Sequence, residues 1–386
     1  MGTFFIIASL ALIAVILLQI GKITEIAGKL RGEEEMQMRS NAFHARFGML
    51  FMIGFLVFVI VSFMYYKNSM LGYGPHTAAS EHGVWIDGTF NVTMIVTGIV
   101  FFITHILLFW YAYKYRERTG HTATFYPHNN KLEMIWMGVP AIVMTFLVIG
   151  GLSVWNRTMK DIDEGMVIGE DYIEVEATGL QWQWILRHPG DDGELGERYY
   201  KNITGLNPLG QLWEDERNLD DIHPSELVLP VGVPVRVRII ARDVLHNFYL
   251  PHFRVKMDAV PGLPTYFVFT PTTTTDEYRQ RLRDYPEWQQ PIPDDEEGRQ
   301  RWEAFEYELA CAELCGQGHF SMKRIVKIVT PEEYSEWLAE QKSYYSTNIK
   351  GTEEDTSKEG VLSLETPTET EQEEVEIKDE ELSKSI

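Results

Sequence analysis

The sequence predicts an α+β membrane protein: four transmembrane helices followed by one all-β Greek-key domain. Three observations carry that prediction. Four long apolar stretches fill the first 160 residues. After Trp155 the pattern changes to alternation, as in "YIEVEATGLQWQWIL" and "VPVRVRII", which is the signature of half-buried strands. Both cysteines of the 386-residue chain then fall in one short segment, "CAELCGQGHFSM". That is too few for a disulfide framework, so the strands must build a core without one.

The apolar stretches run near 4–20, 49–66, 94–113 and 134–155. Each reaches or approaches the roughly 20 residues that cross a bilayer core as a helix. Core helices of a soluble protein would show a polar face, and these do not. The first stretch lacks the basic start and small-residue cleavage site of a secretory signal. Its positive charges, Lys22, Lys29 and Arg31, come after the apolar run, so it reads as a retained helix. The first and third loops carry Lys22, Lys29, Arg31, Arg39, Arg46 and Lys114, Arg116, Arg118, Lys131; the second has only Lys67 at its start. The positive-inside rule puts loops one and three in the cytoplasm, and both termini on the opposite side. Pro140 falls inside the fourth helix, where neighbouring helices can satisfy the freed carbonyl.

Residues 171–342 read as a compact β domain. "TYFVFTPT" and "KRIVKIVT" are further strands, and "HPGDDGELG" and "NPLG" are turns. A polar stretch near 276–301 is expected as a surface insertion. "PEEYSEWLAEQK" predicts a short closing helix. The last segment, 343–386, is expected as an acidic disordered tail: from Gly351 onward it holds 13 acidic residues and 3 lysines. Such a composition cannot build a core. It also accounts for much of the formal net charge of −22. A nucleic-acid partner is excluded, because phosphate binding needs a basic face. No "CxxCH" is present, so no haem is attached covalently through that motif.

Cys311, Cys315, His319 and Met322 supply two thiolates, an imidazole and a thioether. That soft set suits copper, and thioether is not among the usual ligands of zinc. On the residues alone three other readings remain open. The cysteines could pair as a disulfide closing a very short loop; they could be half of a zinc site with His319; or Met322 could be core. A second segment, "ARDVLHNFYLPHFRVKMDAVPG", offers His246 at a strand end, with His252 as a rival. His105 lies inside a membrane helix, where a structural hydrogen bond is the plainer reading.

"DVLHNFYLPHFRVKMDAVPG" followed by "CAELCGQGHFSMK" resembles subunit II of the haem–copper cytochrome c oxidases, over roughly 85–330. The resemblance implies a cupredoxin fold carrying the dinuclear copper centre CuA. Its side-chain ligands would be His246, Cys311, Cys315, His319 and Met322, with the backbone carbonyl of Glu313. The Glu313 carboxylate would bind magnesium or manganese at the border with the catalytic subunit. In "GLQWQW", Trp182 and Trp184 alternate onto one strand face, and two core tryptophans would do so. The resemblance instead makes Trp182 the surface residue where electrons enter from cytochrome c, with Trp184 in the core. Leu180 departs from the family pattern before "QW". Glu133 at the cytoplasmic start of the fourth helix suits the helix dipole; the resemblance places it at the mouth of a proton-uptake path. Asp191, Asp192, Glu194, Glu214, Asp215, Asp220 and Asp221 could form a patch that steers a basic cytochrome c, or serve solubility.

The implied function is a subunit of an enzyme, cytochrome c oxidase. It takes electrons from cytochrome c and passes them to a catalytic subunit that reduces oxygen to water and pumps protons. Partners would be oxidase subunit I, further oxidase subunits, a cytochrome c or cytochrome c domain, and the lipid bilayer. Location would be a bacterial plasma membrane, with the copper domain and both termini periplasmic. Two extra N-terminal helices and the acidic tail depart from the family's two-helix pattern and point to additional partners, such as a respiratory supercomplex. Two other classes fit parts of the chain. A quinol oxidase subunit II would lack the copper ligands, and a membrane-anchored copper carrier or assembly protein would not need Trp182, Glu133 or the Glu313 carboxylate.

Overall fold

A computed structural model describes residues 2–66, 77–123 and 125–357. The chain divides into two compact units, Met1–Lys67 with Asn91–Leu147, and Asn68–Phe90 with Val148–Ile386. Each expected apolar stretch lies inside a longer helix: α1 (Gly2–Arg31), α2 (Glu33–Tyr66), α3 (Glu81–Lys114) and α4 (Asn130–Thr158). All four are long and apolar enough to cross a membrane. The extra length is polar. With 34 residues each, α2 and α3 span roughly 51 Å at 1.5 Å per residue, against about 30 Å of hydrocarbon. Their charged ends therefore stand outside it. Gly32, at φ 91°, separates α1 from α2; a left-handed residue there ends one helix before the next begins. In the first unit, Phe55 of α2 packs on Phe101 and His105 of α3, and Asn41 Nδ2 donates to Glu117 at 2.7 Å. His105 Nδ1 lies 2.8 Å from the Phe101 carbonyl, the structural bond expected of it.

The second unit is a sandwich of two sheets. Its strands are β1 (Ile173–Leu180), β2 (Gln183–Arg187), β3 (Leu227–Pro230), β4 (Val235–Ala241), β5 (His246–Leu250), β6 (Val255–Ala259), β7 (Thr265–Phe269), β8 (Tyr307–Cys311) and β9 (Lys323–Val329). One sheet has the order β2-β1-β4-β7, the other β3-β9-β8-β5-β6. Two neighbouring pairs, β1/β4 and β3/β9, are parallel. The strands alternate as the sequence predicts. Val175, Ala177, Val237 and Ile239 face inward and meet Leu229, Phe248, Leu309 and Val326 in one core.

The outward face of β1 and β4 is not ordinary surface. Ion pairs run along it from Asp161 to Arg236, Glu174, Arg238, Glu176, Arg187 and Asp221. Arg187, Glu176 and Asp221 are wholly buried. Arg187 also donates to the Gly196 carbonyl and to Asn218 Oδ1, both at 2.7 Å. The alternating pattern disclosed that these side chains point away from the core. It did not disclose that residues 188–223 cover them.

Arg254 donates through Nε and Nη2 to both oxygens of Asp87, at 2.7 and 3.1 Å. Ser80 Oγ donates to the Phe253 carbonyl at 2.6 Å. These bonds fix the first turns of α3 to the β5–β6 connection.

Three expectations need correction. The polar stretch near 276–301 is not simply a surface insertion. It opens with α5 (Thr275–Leu282), whose Tyr278 and Leu282 are buried in the core one helical turn apart. The expected tail from 343 begins too early. After the predicted closing helix, α6 (Pro331–Glu340), comes α7 (Tyr344–Asn348). Tyr345 and Ile349 pack on Trp213, and Tyr345 Oη bonds Asp355 and Ser357. A few apolar anchors outweigh the acidic composition there. The rest of the expected tail, 358–386, lies outside the described residues. Thirdly, Trp182 and Trp184 do not share a strand face. Trp182 sits in the turn before β2 and is 40 % exposed, while Trp184 is buried.

Candidate metal centre

Two segments build the site. β8 ends at Cys311; the chain then loops through Glu313 and Cys315 to a 3-10 turn at His319–Ser321, reaches Met322 and enters β9. The loop closes on itself, because the Cys311 amide donates to the Met322 carbonyl at 3.2 Å. β5 lies beside β8, with Phe248 opposite Cys311. His246 therefore begins a strand next to the loop, rather than ending one as its position after "VRVRII" suggested. Gly179 of β1 makes room for it: a Cβ there would sit 3.0 Å from the imidazole and from Trp184.

The sulfur, nitrogen and oxygen atoms converge. Cys311 Sγ lies 3.9 Å from His246 Nδ1, 3.9 Å from Cys315 Sγ and 3.2 Å from the Glu313 carbonyl oxygen. Cys315 Sγ lies 3.6 Å from His319 Nδ1 and 3.4 Å from Met322 Sδ. Both cysteines are free thiols, so the disulfide reading falls. His246, Cys315 and Met322 are buried and His319 half-buried. His246, Cys311 and Cys315 place one ligand atom each within 4.8 Å of one another. The donor set fits a soft metal: two thiols, two imidazoles and a thioether linked by this run of contacts.

Surrounding groups orient the donors. His246 Nε2 lies 2.8 Å from Asp243 Oδ1. That bond makes Nε2 the protonated nitrogen and leaves the Nδ1 lone pair aimed at the sulfurs. Asp243 Oδ2 accepts from the Gln181 amide at 2.7 Å, and Oδ1 accepts from the Val244 amide at 2.7 Å. Partial burial pushes the Asp243 carboxyl up, yet these bonds hold it below its ordinary value. Burial first, then the neighbouring Cys311, pushes the Cys315 thiol up to about 11. A metal cation would reverse that by binding the thiolate directly.

The remaining expected residues fall elsewhere. His252 is buried 3-10 turn packing between Tyr278, Phe305 and Tyr307, not a donor. The Glu313 side chain is exposed, and among the described residues no cluster of carboxylates or histidines forms around it. Glu133 accepts at Oε1 from the Asn129 amide at 3.3 Å, while Asn129 Oδ1 accepts from the Leu132 amide. The pair caps α4. Of the acidic residues expected as a patch, Asp221 is buried against Arg187, and Asp215 caps a 3-10 turn and pairs with Arg217. Asp191, Asp192, Glu194 and Glu214 are exposed.

Sequence reasoning missed Asp243 and Gln181. "DVLH" held the signal for the first, since an acid three residues before a ligand histidine can reach its far nitrogen.

Comparison with known proteins gives a consistent picture. Residues 173–280 match the domain family described as cytochrome c oxidase subunit II, periplasmic domain, and residues 71–154 match its transmembrane domain. The periplasmic match takes in Trp182 and His246 and stops before the cysteine loop; α1 and α2 lie outside both matches. The chain is 34 % identical over 263 residues to the alternative cytochrome c oxidase subunit 2 of Bradyrhizobium diazoefficiens, covering 67 % of this chain and 81 % of that one. It is 26 % identical over 300 residues to cytochrome c oxidase subunit 2 of Synechocystis sp., covering 74 % and 80 %. With cytochrome c oxidase subunit 2 of Cereibacter sphaeroides it shares 26 % over 266 residues, covering 66 % and 74 %.

Proposed function

The chain belongs to the cytochrome c oxidase subunit II family, and from that premise we propose that its cysteine loop and His246 hold the dinuclear copper centre CuA. As a member it is the electron-accepting subunit of a membrane-bound oxidase, with a β domain on the periplasmic side. One observation carries the copper reading. Cys311, Cys315, His246, His319, Met322 and the Glu313 carbonyl approach one another in an unbroken chain of contacts at 3.2–3.9 Å.

When bound, two copper ions sharing an unpaired electron supply a one-electron store that changes its bonds little on reduction. The chain's residues supply everything else. Cys311 and Cys315 would hold the centre through thiolates offered from a single loop. His246 and His319 offer one imidazole each. Met322 and the Glu313 carbonyl are the weak donors. Asp243 holds the His246 tautomer, and the antiparallel pairing of β5 with β8 within one sheet keeps the two ligand segments together. Trp182, exposed in its turn, is the point where electrons enter from cytochrome c. Asp191, Asp192 and Glu214 are exposed and would steer a basic donor, with Glu194 beside them paired to Arg217 at 3.8 Å.

The finer parts of the reading follow the same premise. The Glu313 carboxylate binds magnesium or manganese completed by ligands of the catalytic subunit, which suits a hard oxygen donor on an exposed loop. Glu133 serves proton uptake in addition to capping α4. The membrane is a bacterial plasma membrane, with both termini periplasmic as the basic loops direct. Partners are subunit I, the other oxidase subunits, a cytochrome c, and a larger respiratory assembly that contacts α1 and α2.

The test is metal content and spectrum of the copper-loaded protein. Two coppers per chain and an unpaired electron spread over both nuclei are expected. One copper per chain, or a preference for zinc, would refute the reading.

A further inference from the structure

The turn between β1 and β2 touches the ligand loop at its two glycines. A Cβ built on Gly318 would fall 2.6 Å from Trp182 Cγ and Cδ2 and 2.9 Å from Trp182 Cβ. One built on Gly316 would fall 3.1 Å from Trp182 Nε1 and from Gln181 Nε2. The indole therefore rests on bare backbone between Cys315 and His319. The two glycines are there for different reasons. Gly316 has φ 125°, a conformation that glycine alone adopts easily. Gly318 has φ −91° and ψ 11°, which other residues adopt too. Its backbone does not call for glycine; only its contact with Trp182 does.

The same turn is tied down on either side of that contact. Gln181 Nε2 donates to the Cys315 carbonyl at 2.7 Å. The Gln181 amide donates to Asp243 Oδ2, and Asp243 Oδ1 holds His246 Nε2. One turn thus grips the ligand loop at Cys315, meets it at Gly318, and reaches His246 through a carboxylate.

We propose that Gly318 is a positioning residue for electron input: its missing side chain lets the Trp182 indole sit directly on the loop that carries the metal ligands. A methyl group at 318 lifts the indole away while leaving every donor atom in the chain. The proposal rests on the reading of Trp182 as the point where electrons enter. Electron transfer weakens exponentially with separation, so even a small lift of the indole from the loop slows it.

The experiment compares Gly318→Ala, Trp182→Ala and the double variant in the assembled oxidase. It measures copper per chain, the copper EPR spectrum, the rate of one-electron oxidation of ferrocytochrome c in stopped flow, and the thermal unfolding midpoint. Gly318→Ala is expected to keep two coppers and slow the oxidation several-fold. On the Trp182→Ala background it should cost much less, because the two 2.6 Å contacts are gone and only the 2.9 Å one to the Cβ of residue 182 remains. Normal oxidation in Gly318→Ala beside slow oxidation in Trp182→Ala overturns the seating. So does an equal fold-loss from Gly318→Ala on both backgrounds. If Gly318→Ala loses copper, the double variant must regain most of it, since Trp182→Ala removes both 2.6 Å contacts and leaves only the 2.9 Å one to the Cβ of residue 182; failure to regain it overturns the proposal. Should Trp182→Ala oxidise cytochrome c at the normal rate, the assignment of electron input to Trp182 is wrong. The seating is then decided by unfolding alone: Gly318→Ala must lower the midpoint clearly more with Trp182 present than with alanine there, and an equal drop overturns it.

Discussion

Acidification is expected to loosen the β unit, and the size of the effect follows from histidines it buries. His188, His223 and His252 are each pushed down to about 3, chiefly by burial. His188 stands edge-on to Trp337 with its ring enclosed. In the unfolded chain each would titrate near 6.5. Between those values the unfolded state binds the proton and the folded state does not, so stability falls as pH drops through 6.5 and goes on falling toward 3. At pH 5.5 each histidine costs about 1.4 kcal/mol relative to neutral solution, and the three together about 4 kcal/mol. Asp221 acts with the opposite sign. Burial pushes its carboxyl up to about 7 despite Arg187, so the folded state holds the proton and stability is lost as pH rises from 3.8 toward 7. Over the same range Asp221 returns part of the stability the histidines lose. The clean measurement is the variant His188→Leu. Urea unfolding of the metal-free chain at pH 7.5 and 5.5 should show a difference about 1.4 kcal/mol smaller than wild type. Metal-free protein is needed because protons also compete for the ligands. An unchanged pH difference in His188→Leu would refute the reasoning.

Three further outcomes are expected. Asp243→Ala should leave all copper donors in place yet weaken metal binding about 10- to 100-fold, read by competition with a chelator, because His246 loses the group that fixes its tautomer. Arg187→Leu should destabilise the β unit by about 3–5 kcal/mol in urea, since Asp221 loses its buried partner, while Glu176 keeps Arg198 and Arg238; Arg187→Leu with Asp221→Leu should recover part of that. Glu133→Gln should assemble with a normal copper spectrum, because glutamine can keep the cap on Asn129, and should slow steady-state oxygen reduction if the side chain also feeds protons. Normal turnover per copper centre would leave Glu133 with its cap alone.

The strands and membrane helices were legible because each is a periodic signal that burial dictates. Val175, Ala177, Val237 and Ile239 alternate with charge along β1 and β4, and the sheets fold as that alternation requires. What the sequence hid is where non-periodic segments go. Nothing in "RHPGDDGELGERYYKNITG" states that it covers Glu176 and Arg187, because a strand's outward charges look the same whether solvent or chain lies over them. Likewise the acidic composition after 342 masks two apolar anchors, Tyr345 and Ile349. Composition averages over a window, whereas a segment docks through single side chains.

The donors divide along the same line. Cys311, Cys315, His319 and Met322 lie within one loop, so their spacing alone suggested shared chemistry. His246 comes from 65 residues away, and only the pairing of β5 with β8 brings it in. Asp243 is near its histidine, but the other restraining group is more distant still in sequence. Gln181 reaches Cys315 across 134 residues, and no spacing rule could have linked them. Yet the physical demand that joins them is simple. A loop of two glycines and four donors has little stiffness of its own, since Gly316 and Gly318 leave its middle without side chains to pack. Stiffness must come from outside, and the structure supplies it through backbone-directed bonds: Gln181 to the Cys315 carbonyl, the Ala312 amide to the Asn247 carbonyl, the Cys311 amide to the Met322 carbonyl. Each holds the main chain and leaves the donor side chain free for metal. A loop restrained in this way can keep its sulfurs in place whether or not metal is bound. Electron acceptance at small structural cost asks for that property.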